Sequence, residues 1–318
     1  MNNLNVRAAS RLGQAGSVFG LALPEYMSNH GNVKVVSADM SRPAGLDRFK
    51  SQYSNDFYNT GIAEQNMLGV AAGLASEGYT TIAEAQACFI TMRSFEQVRQ
   101  YMGYMQFPIV CIGINAGYSL TFFGNTHYAI EDMAIMRAIP NITILSASDA
   151  AMAVALLENA LDLHQPVYLR LAGGLNTPII YNEQPQVRQG GSVVLREGAD
   201  LAILATGATL NEALKAAEFL SQKGVESKVI DMYSIKPIDK EQIAQCTNSK
   251  LVVTVEEHTI VGGLGGAVSE VLAEMASSTK LLRLGVNDRF ATVGDYEYLL
   301  RQNRLTADLI AEDILKNL

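Results

Sequence analysis

The chain has no tryptophan, three cysteines and only 18% charged residues, and each shortage excludes something. Cys88, Cys111 and Cys246 are odd in number, far apart and free of CxxC spacing. They therefore do not make a disulfide framework or a thiolate zinc site, and they suit buried thiols in a reducing cytoplasm. Positive charge is scarce: 24 Lys and Arg face 32 Asp and Glu, a net −8, which argues against nucleic acid or an anionic membrane as partner. No window approaches the roughly 18 consecutive apolar residues of a membrane span. The opening MNNLNVRAASR lacks the apolar stretch of a secretory signal, so a cytoplasmic protein is expected. Nor is there a dinucleotide fingerprint. The glycine cluster Gly262–Gly266 fails the G-x-G-x-x-G spacing, because counting from Gly263 the last position is Val268, and Lys280–Leu284 offers no acid for a ribose.

What is present is a long apolar inventory, 48% of 318 residues, with 26 glycines. That is enough for two cores and so little polar surface that a large subunit interface is expected. Apolar β-rich runs alternate with helical periods in two blocks, which predicts two α/β domains, each a mainly parallel sheet flanked by helices. In the first block the strands are Val33–Ser37, Thr80–Ala83, Ile109–Ile114, Ile142–Leu145 and Pro166–Arg170. The helices are Val6–Ser28, Gly61–Ser76, Thr91–Met102, Ile130–Arg137 and Ala150–Leu163, the last after the N-cap pair Ser148-Asp149. NTPIIYNEQPQVRQGG, with two prolines and no period, reads as a joint and places the boundary near 185, giving domains 1–185 and 186–318. The second block supplies strands Leu201–Ala205, Glu226–Asp231, Leu251–Glu256 and Lys280–Leu284. Its helices are Asn211–Gln222, Lys240–Cys246, Ala267–Met275 and the tail Thr306–Leu318.

Within this frame Glu64 is conspicuous, an acid opening a helix of small and apolar residues in Thr60-Gly-Ile-Ala-Glu64-Gln-Asn66. Alone it could simply complement the positive helix N-terminus, worth a few tenths to ~1 kcal/mol. The segments around it resemble the transketolase family in order along nearly the whole chain. They are GIAEQN, FITMRSFEQVR at Phe89–Arg99, GNTHYAIEDMAIMRAIPN at Gly124–Asn141, PVYLRL at Pro166–Leu171, VEEHTIVGGLG at Val255–Gly265 and the late DRFATVGDYEYLLRQNRLT. The resemblance is to the C-terminal half of a split transketolase, a pyrimidine-binding domain followed by the family's C-terminal domain.

It implies thiamine diphosphate as cofactor and Glu64 as the residue that shares a proton with the cofactor's aminopyrimidine. An apolar pocket around Glu64 would favour its protonated form by desolvation. It further implies that Met40 props the bent cofactor, that Phe89 flanks the aminopyrimidine ring, and that His127 contacts substrate oxygens and moves protons. Arg7 aligns with a phosphate-binding arginine. Without the motif each has an ordinary alternative, core packing for Met40 and Phe89, a structural hydrogen bond for His127, a surface cation for Arg7.

Departures from the family bear on substrate. Ala85-Gln86 replaces a Thr-Phe pair, so Gln86 stands at a cofactor-stacking position. Phe122 and Phe123 replace a sugar-reading aspartate, Asn115 a phosphate-holding histidine, and Gly173 an arginine, while Arg170 remains as a substrate-side cation. Losing a charged phosphate contact costs ~1.5–3 kcal/mol, so a less phosphorylated, modified or more apolar acceptor is expected. The Gly-Asp-Gly segment that holds Mg²⁺ and diphosphate is missing, Gly294-Asp295-Tyr296 being the nearest string. The resemblance therefore implies a separate N-terminal transketolase subunit carrying Gly-Asp-Gly, the Mg²⁺ held mainly by it, and an alpha2beta2 assembly. The rival readings are the β-subunit of a 2-oxo-acid dehydrogenase and a catalytically degenerate scaffold subunit.

Overall fold

The computed structural model describes residues 4–318, so the start of the N-terminal segment lies outside it. Among the described residues the strands are β1 Val33–Ser37, β2 Phe57–Asn59, β3 Thr80–Gln86, β4 Ile109–Ala116, β5 Thr143–Ser146, β6 Val167–Ala172, β7 Val193–Arg196, β8 Leu201–Thr206, β9 Ser227–Asp231, β10 Ser234–Lys236, β11 Leu251–Thr259 and β12 Leu281–Val286. They form a seven-stranded sheet in the order β10-β5-β6-β4-β3-β1-β2 and a five-stranded sheet in the order β12-β11-β8-β9-β7. All pairings are parallel except β10 with β5 and β7 with β9. Nearly every residue of β4, β6, β8 and β11 is buried, as strands covered by helices on both faces require.

Three helices differ from expectation for local reasons. The first splits into Val6–Ser17, a π-turn Val18–Ala22 and Leu23–His30. Gly13 inside it has φ +72°, and an added Cβ would lie 2.2 Å from the Gly174 carbonyl oxygen, so only glycine fits there. The expected Thr91–Met102 helix is instead π-type turns at Phe89–Arg93 and Val98–Tyr104 around a short Phe95–Gln97 turn. Thr91 Oγ1 donates to the Ala87 carbonyl (2.6 Å) and Ser94 Oγ to that of Ile90 (2.8 Å), back-bonds that bend a helix. The helix after the glycine cluster starts early, at Leu264, because Glu256 accepts the Leu264 and Gly265 N–H groups at 2.7 and 2.8 Å.

Residues 173–192 carry neither helix nor strand, and the middle of this joint is pinned to both domains. Asp149 caps helix Ala150–Asp162 through Met152 N (2.8 Å) and also accepts Ile180 N and Tyr181 N, both at 2.9 Å. Tyr181 then donates from its hydroxyl to Asp231 at 2.8 Å in the second domain. β10 follows the joint in sequence yet adds to the first sheet, so the two domains are interlocked rather than tethered.

A buried polar seam completes the junction. Arg170, 1% exposed, donates Nε to Asp132 Oδ2 (2.8 Å) and Nη2 to the carbonyls of Ala129 (3.2 Å) and Glu257 (3.0 Å). Tyr168 adds a 2.7 Å bond to the same Asp132 oxygen. His258 accepts Ala134 N–H at Nε2 (3.2 Å), which fixes the proton on Nδ1, facing the Thr259 carbonyl at 2.7 Å. That tautomer is neutral, so the 4.0 Å approach of Nε2 to Asp132 is not an ion pair. Burial accordingly pushes the His258 pKa down to about 4, while desolvation pushes Glu256 up to about 7.

Candidate active site

In a parallel sheet ligands bind beyond the carboxyl ends of the strands, because the connecting loops gather there. β1 ends before Met40, β3 ends in Gln86, β4 carries Asn115 near its end, and β6 is followed by Gly173. Asn115 has φ +55°, where the β4–β6 register shifts, so its backbone is bent at this edge.

Glu64 is the first residue of helix Glu64–Ser76 and is 3% exposed. The apolar pocket expected around it is not found. Arg93 Nη1 reaches both carboxylate oxygens, at 2.9 and 2.8 Å. The bent 89–93 turn delivers this cation, and Gln65 Nε2 holds the turn through the Arg93 carbonyl at 3.1 Å. The Arg93 guanidinium lies 4.1 Å from the centre of the Phe89 ring, a cation–π stack. Phe89 meets His127 edge-on at 5.2 Å, His127 stacks on Phe123 at 4.5 Å, and Phe123 leans on Phe122 at 4.6 Å. Glu64, Arg93, Phe89, His127, Phe123 and Phe122 thus form one continuous row, from a buried carboxylate to rings 48% and 75% exposed. Thr126 Oγ1 lies 2.9 Å from His127 Nδ1 and orients the imidazole.

The other expected residues are placed differently. Met40 sits, partly buried, against the core on the sheet face opposite the Glu64 helix, and its N–H donates to Ser37 Oγ at 3.1 Å. That hydroxyl in turn donates to Glu84 Oε2 at 2.7 Å. Gln86 is partly exposed, its Oε1 4.0 Å from the Cys88 thiol. Arg7 is exposed on the first helix. Arg170, expected on the substrate side, is instead sealed in the seam with donors engaged by internal acceptors, so it joins domains and is not brought to the row. Arg93 was missed. It lies inside the FITMRSFEQVR segment, but no local pattern signals that a half-exposed arginine 29 residues away will pair with Glu64.

This fold and row define a two-domain α/β chain whose acid–aromatic–imidazole edge belongs to its first domain. The family model "Transketolase, pyrimidine binding domain" matches residues 14–176 and "Transketolase, C-terminal domain" matches 190–310. The chain belongs to the transketolase family. It is 36% identical over 302 residues to a putative transketolase C-terminal section of Methanocaldococcus jannaschii, covering 94% of this chain and 95% of that one. It is 35% identical to a 6-deoxy-6-sulfo-D-fructose transketolase subunit of Clostridium sp., covering 90% of this chain and 88% of that one. Among solved structures, a split-gene transketolase described as an inactive beta4 tetramer superposes with a TM-score of 0.85 at 35% identity, covering 95% of this chain and 97% of that one.

Proposed function

We propose that this chain is the C-terminal subunit of a two-chain, thiamine-diphosphate-dependent transketolase that moves a two-carbon ketol unit between sugar-like substrates. The observation that carries the reading is the buried Glu64 carboxylate heading its helix in one row with Phe89 and His127. These groups fit the aminopyrimidine half of the cofactor. They offer a carboxyl to share a proton with a ring nitrogen and an aromatic face beside it, with Met40 following another strand of the same edge. When bound, thiamine diphosphate supplies a nucleophilic carbon that also accepts the electrons of the cleaved carbon–carbon bond.

The chain's own residues do the rest. Arg93 fixes the Glu64 carboxylate through a single nitrogen, leaving lone pairs on both oxygens for a ring nitrogen. His127, held between Phe89 and Phe123, takes and returns protons at a substrate oxygen. Phe122, Phe123 and Asn115 shape the acceptor side, and the exposed Arg7 offers a cation to an acidic substrate group. Mg²⁺ and the diphosphate are assigned to a partner subunit carrying Gly-Asp-Gly, in an alpha2beta2 assembly. Two comparisons support a partner: the Clostridium relative is named a subunit, and the beta4 tetramer is described as inactive. The exposed phenylalanines favour a modified or less phosphorylated acceptor, in keeping with a relative named for a sulfo sugar. Ordinary transketolase turnover and saturation with xylulose 5-phosphate and ribose 5-phosphate would rule that acceptor out.

The test needs no substrate. Deuterium exchange at C2 of thiamine diphosphate is measured with Mg²⁺ and the partner, for wild type and Glu64→Ala. Fast exchange that needs both chains and collapses in the variant supports a shared site. Exchange indifferent to Glu64 removes the carboxylate from cofactor activation.

A further inference from the structure

The Phe122–Phe123–His127 wall is built on a turn that closes on its own domain and is gripped by the other. Residues 121–126 form a 3-10 turn broken at Gly124, φ +74°, and closed by His127 N–H to the Gly124 carbonyl (2.9 Å) and Tyr128 Oη to the Thr121 carbonyl (2.5 Å). Its two phenylalanines are too exposed for burial to fix them. The middle of the turn is gripped from the second domain instead. Asn125 Nδ2 donates to the Ala291 carbonyl at 2.7 Å, and Ala291 N–H donates back to Asn125 Oδ1 at 3.1 Å. Beside this pair Val293 packs so closely that a Cβ on Gly124 would lie 2.9 Å from its methyl. The gripping loop is itself anchored. Ala291 packs against a buried cluster that contains Tyr118, Tyr128 and Leu299, and Tyr296 donates its hydroxyl to the buried Glu257 at 2.8 Å.

We propose that the second domain sets the shape of the acceptor wall, with Asn125 as the positioning residue that transmits it from Ala291 to Phe123 and His127. The inference rests on the ketol-transfer reading and goes beyond it, giving the C-terminal domain a part in specificity rather than interface alone. An amide paired reciprocally with a backbone N–H and C=O fixes both position and tilt, which one hydrogen bond does not. His127 is then held from both sides, by Phe89 of its own domain and by a ring whose turn the other domain fastens.

Two measurements on Asn125→Ala decide it, with Val293→Ala as a second variant that leaves both hydrogen bonds in place. In the full-length chain, chymotrypsin, which cuts after aromatic residues, should cleave at Phe122 and Phe123 about tenfold faster in Asn125→Ala, as expected for loss of two hydrogen bonds. Val293→Ala should show a smaller rise, and the melting temperature of Asn125→Ala should fall by no more than about 3–6 °C. In the assembly with its partner, Asn125→Ala should raise the acceptor KM about tenfold while Glu64-dependent C2 exchange is unchanged. Wild-type cleavage rates together with a wild-type acceptor KM would overturn the proposal. Absent C2 exchange in the wild-type assembly would instead sink the ketol-transfer reading, and the cleavage rates would still decide whether the second domain holds the turn.

Discussion

Replacing Arg170 with methionine separates the two roles that this residue has been given. Methionine keeps much of the apolar stem but removes the charge and every donor. The side chain is 1% exposed and donates to Asp132, to the Ala129 carbonyl and, across the seam, to the Glu257 carbonyl. Its loss strands Asp132, fully buried, whose Oδ1 already lacks a hydrogen-bond partner and whose Oδ2 would keep only the Tyr168 hydroxyl at 2.7 Å. Removing one member of a buried ion pair costs about 3–5 kcal/mol, chiefly because the other charge stays behind. At about 2–4 °C per kcal/mol, the melting temperature should fall by about 6–20 °C. Adding Asp132→Asn relieves the stranded charge while still accepting from Tyr168, so the double variant should regain about 1–3 kcal/mol. Calorimetry and urea unfolding measure both. Below the melting temperature, the assembled Arg170→Met enzyme should keep its acceptor KM. A stability loss under about 1 kcal/mol with a tenfold rise in KM would refute the seam assignment and return Arg170 to the substrate side.

Two further outcomes follow from single groups. Glu84 is fully buried, its carboxyl accepting from the Ser37 hydroxyl, and desolvation raises its pKa from 4.5 to about 7. The folded state therefore keeps this proton where the unfolded chain has released it, so its stabilising effect is complete below pH about 4.5 and lost as pH rises through 7. Glu84→Gln should accordingly gain about 3 kcal/mol relative to wild type between pH 4.5 and 8 in urea unfolding; a pH-independent difference would show the carboxyl to be solvated. His127→Ala should leave C2 exchange within about twofold and slow ketol transfer by about 10²–10⁴-fold. Unimpaired transfer would remove His127 from proton movement.

The buried carboxyls share a logic. Glu84, Asp231 and Glu256 are each pushed to about 7 by desolvation, and each lies at or near the carboxyl end of a strand. Glu256 spends both oxygens on helix N–H groups, Asp231 its Oδ2 on the Ser148 and Tyr181 hydroxyls, and Glu84 its Oε2 on Ser37. All three bind segments together with hydrogen bonds rather than with a countercharge. Glu64 differs in having Arg93 at both oxygens.

What the sequence by itself determined is what local patterns encode. Apolar runs and helical periods located β1, the cores of β3, β4, β6, β8 and β9, and helices such as Lys240–Cys246 to within a few residues, because burial on both faces leaves a mark in consecutive residues. Asp149 as a cap and Glu64 at a helix start were legible for the same reason. Short edge elements were not. β2, β7 and β10 are three or four residues long and partly polar, too brief to show a period. The candidate site was half legible. Its ordered motifs pointed to Glu64, Phe89, Phe122, Phe123 and His127, which meet in one row. Only the tertiary structure paired Glu64 with Arg93, took Arg170 into the seam, and fastened Asn125 to Ala291 across 166 residues. A charged side chain's partner is chosen by which layers pack against each other, and that choice leaves no trace in the residues beside it.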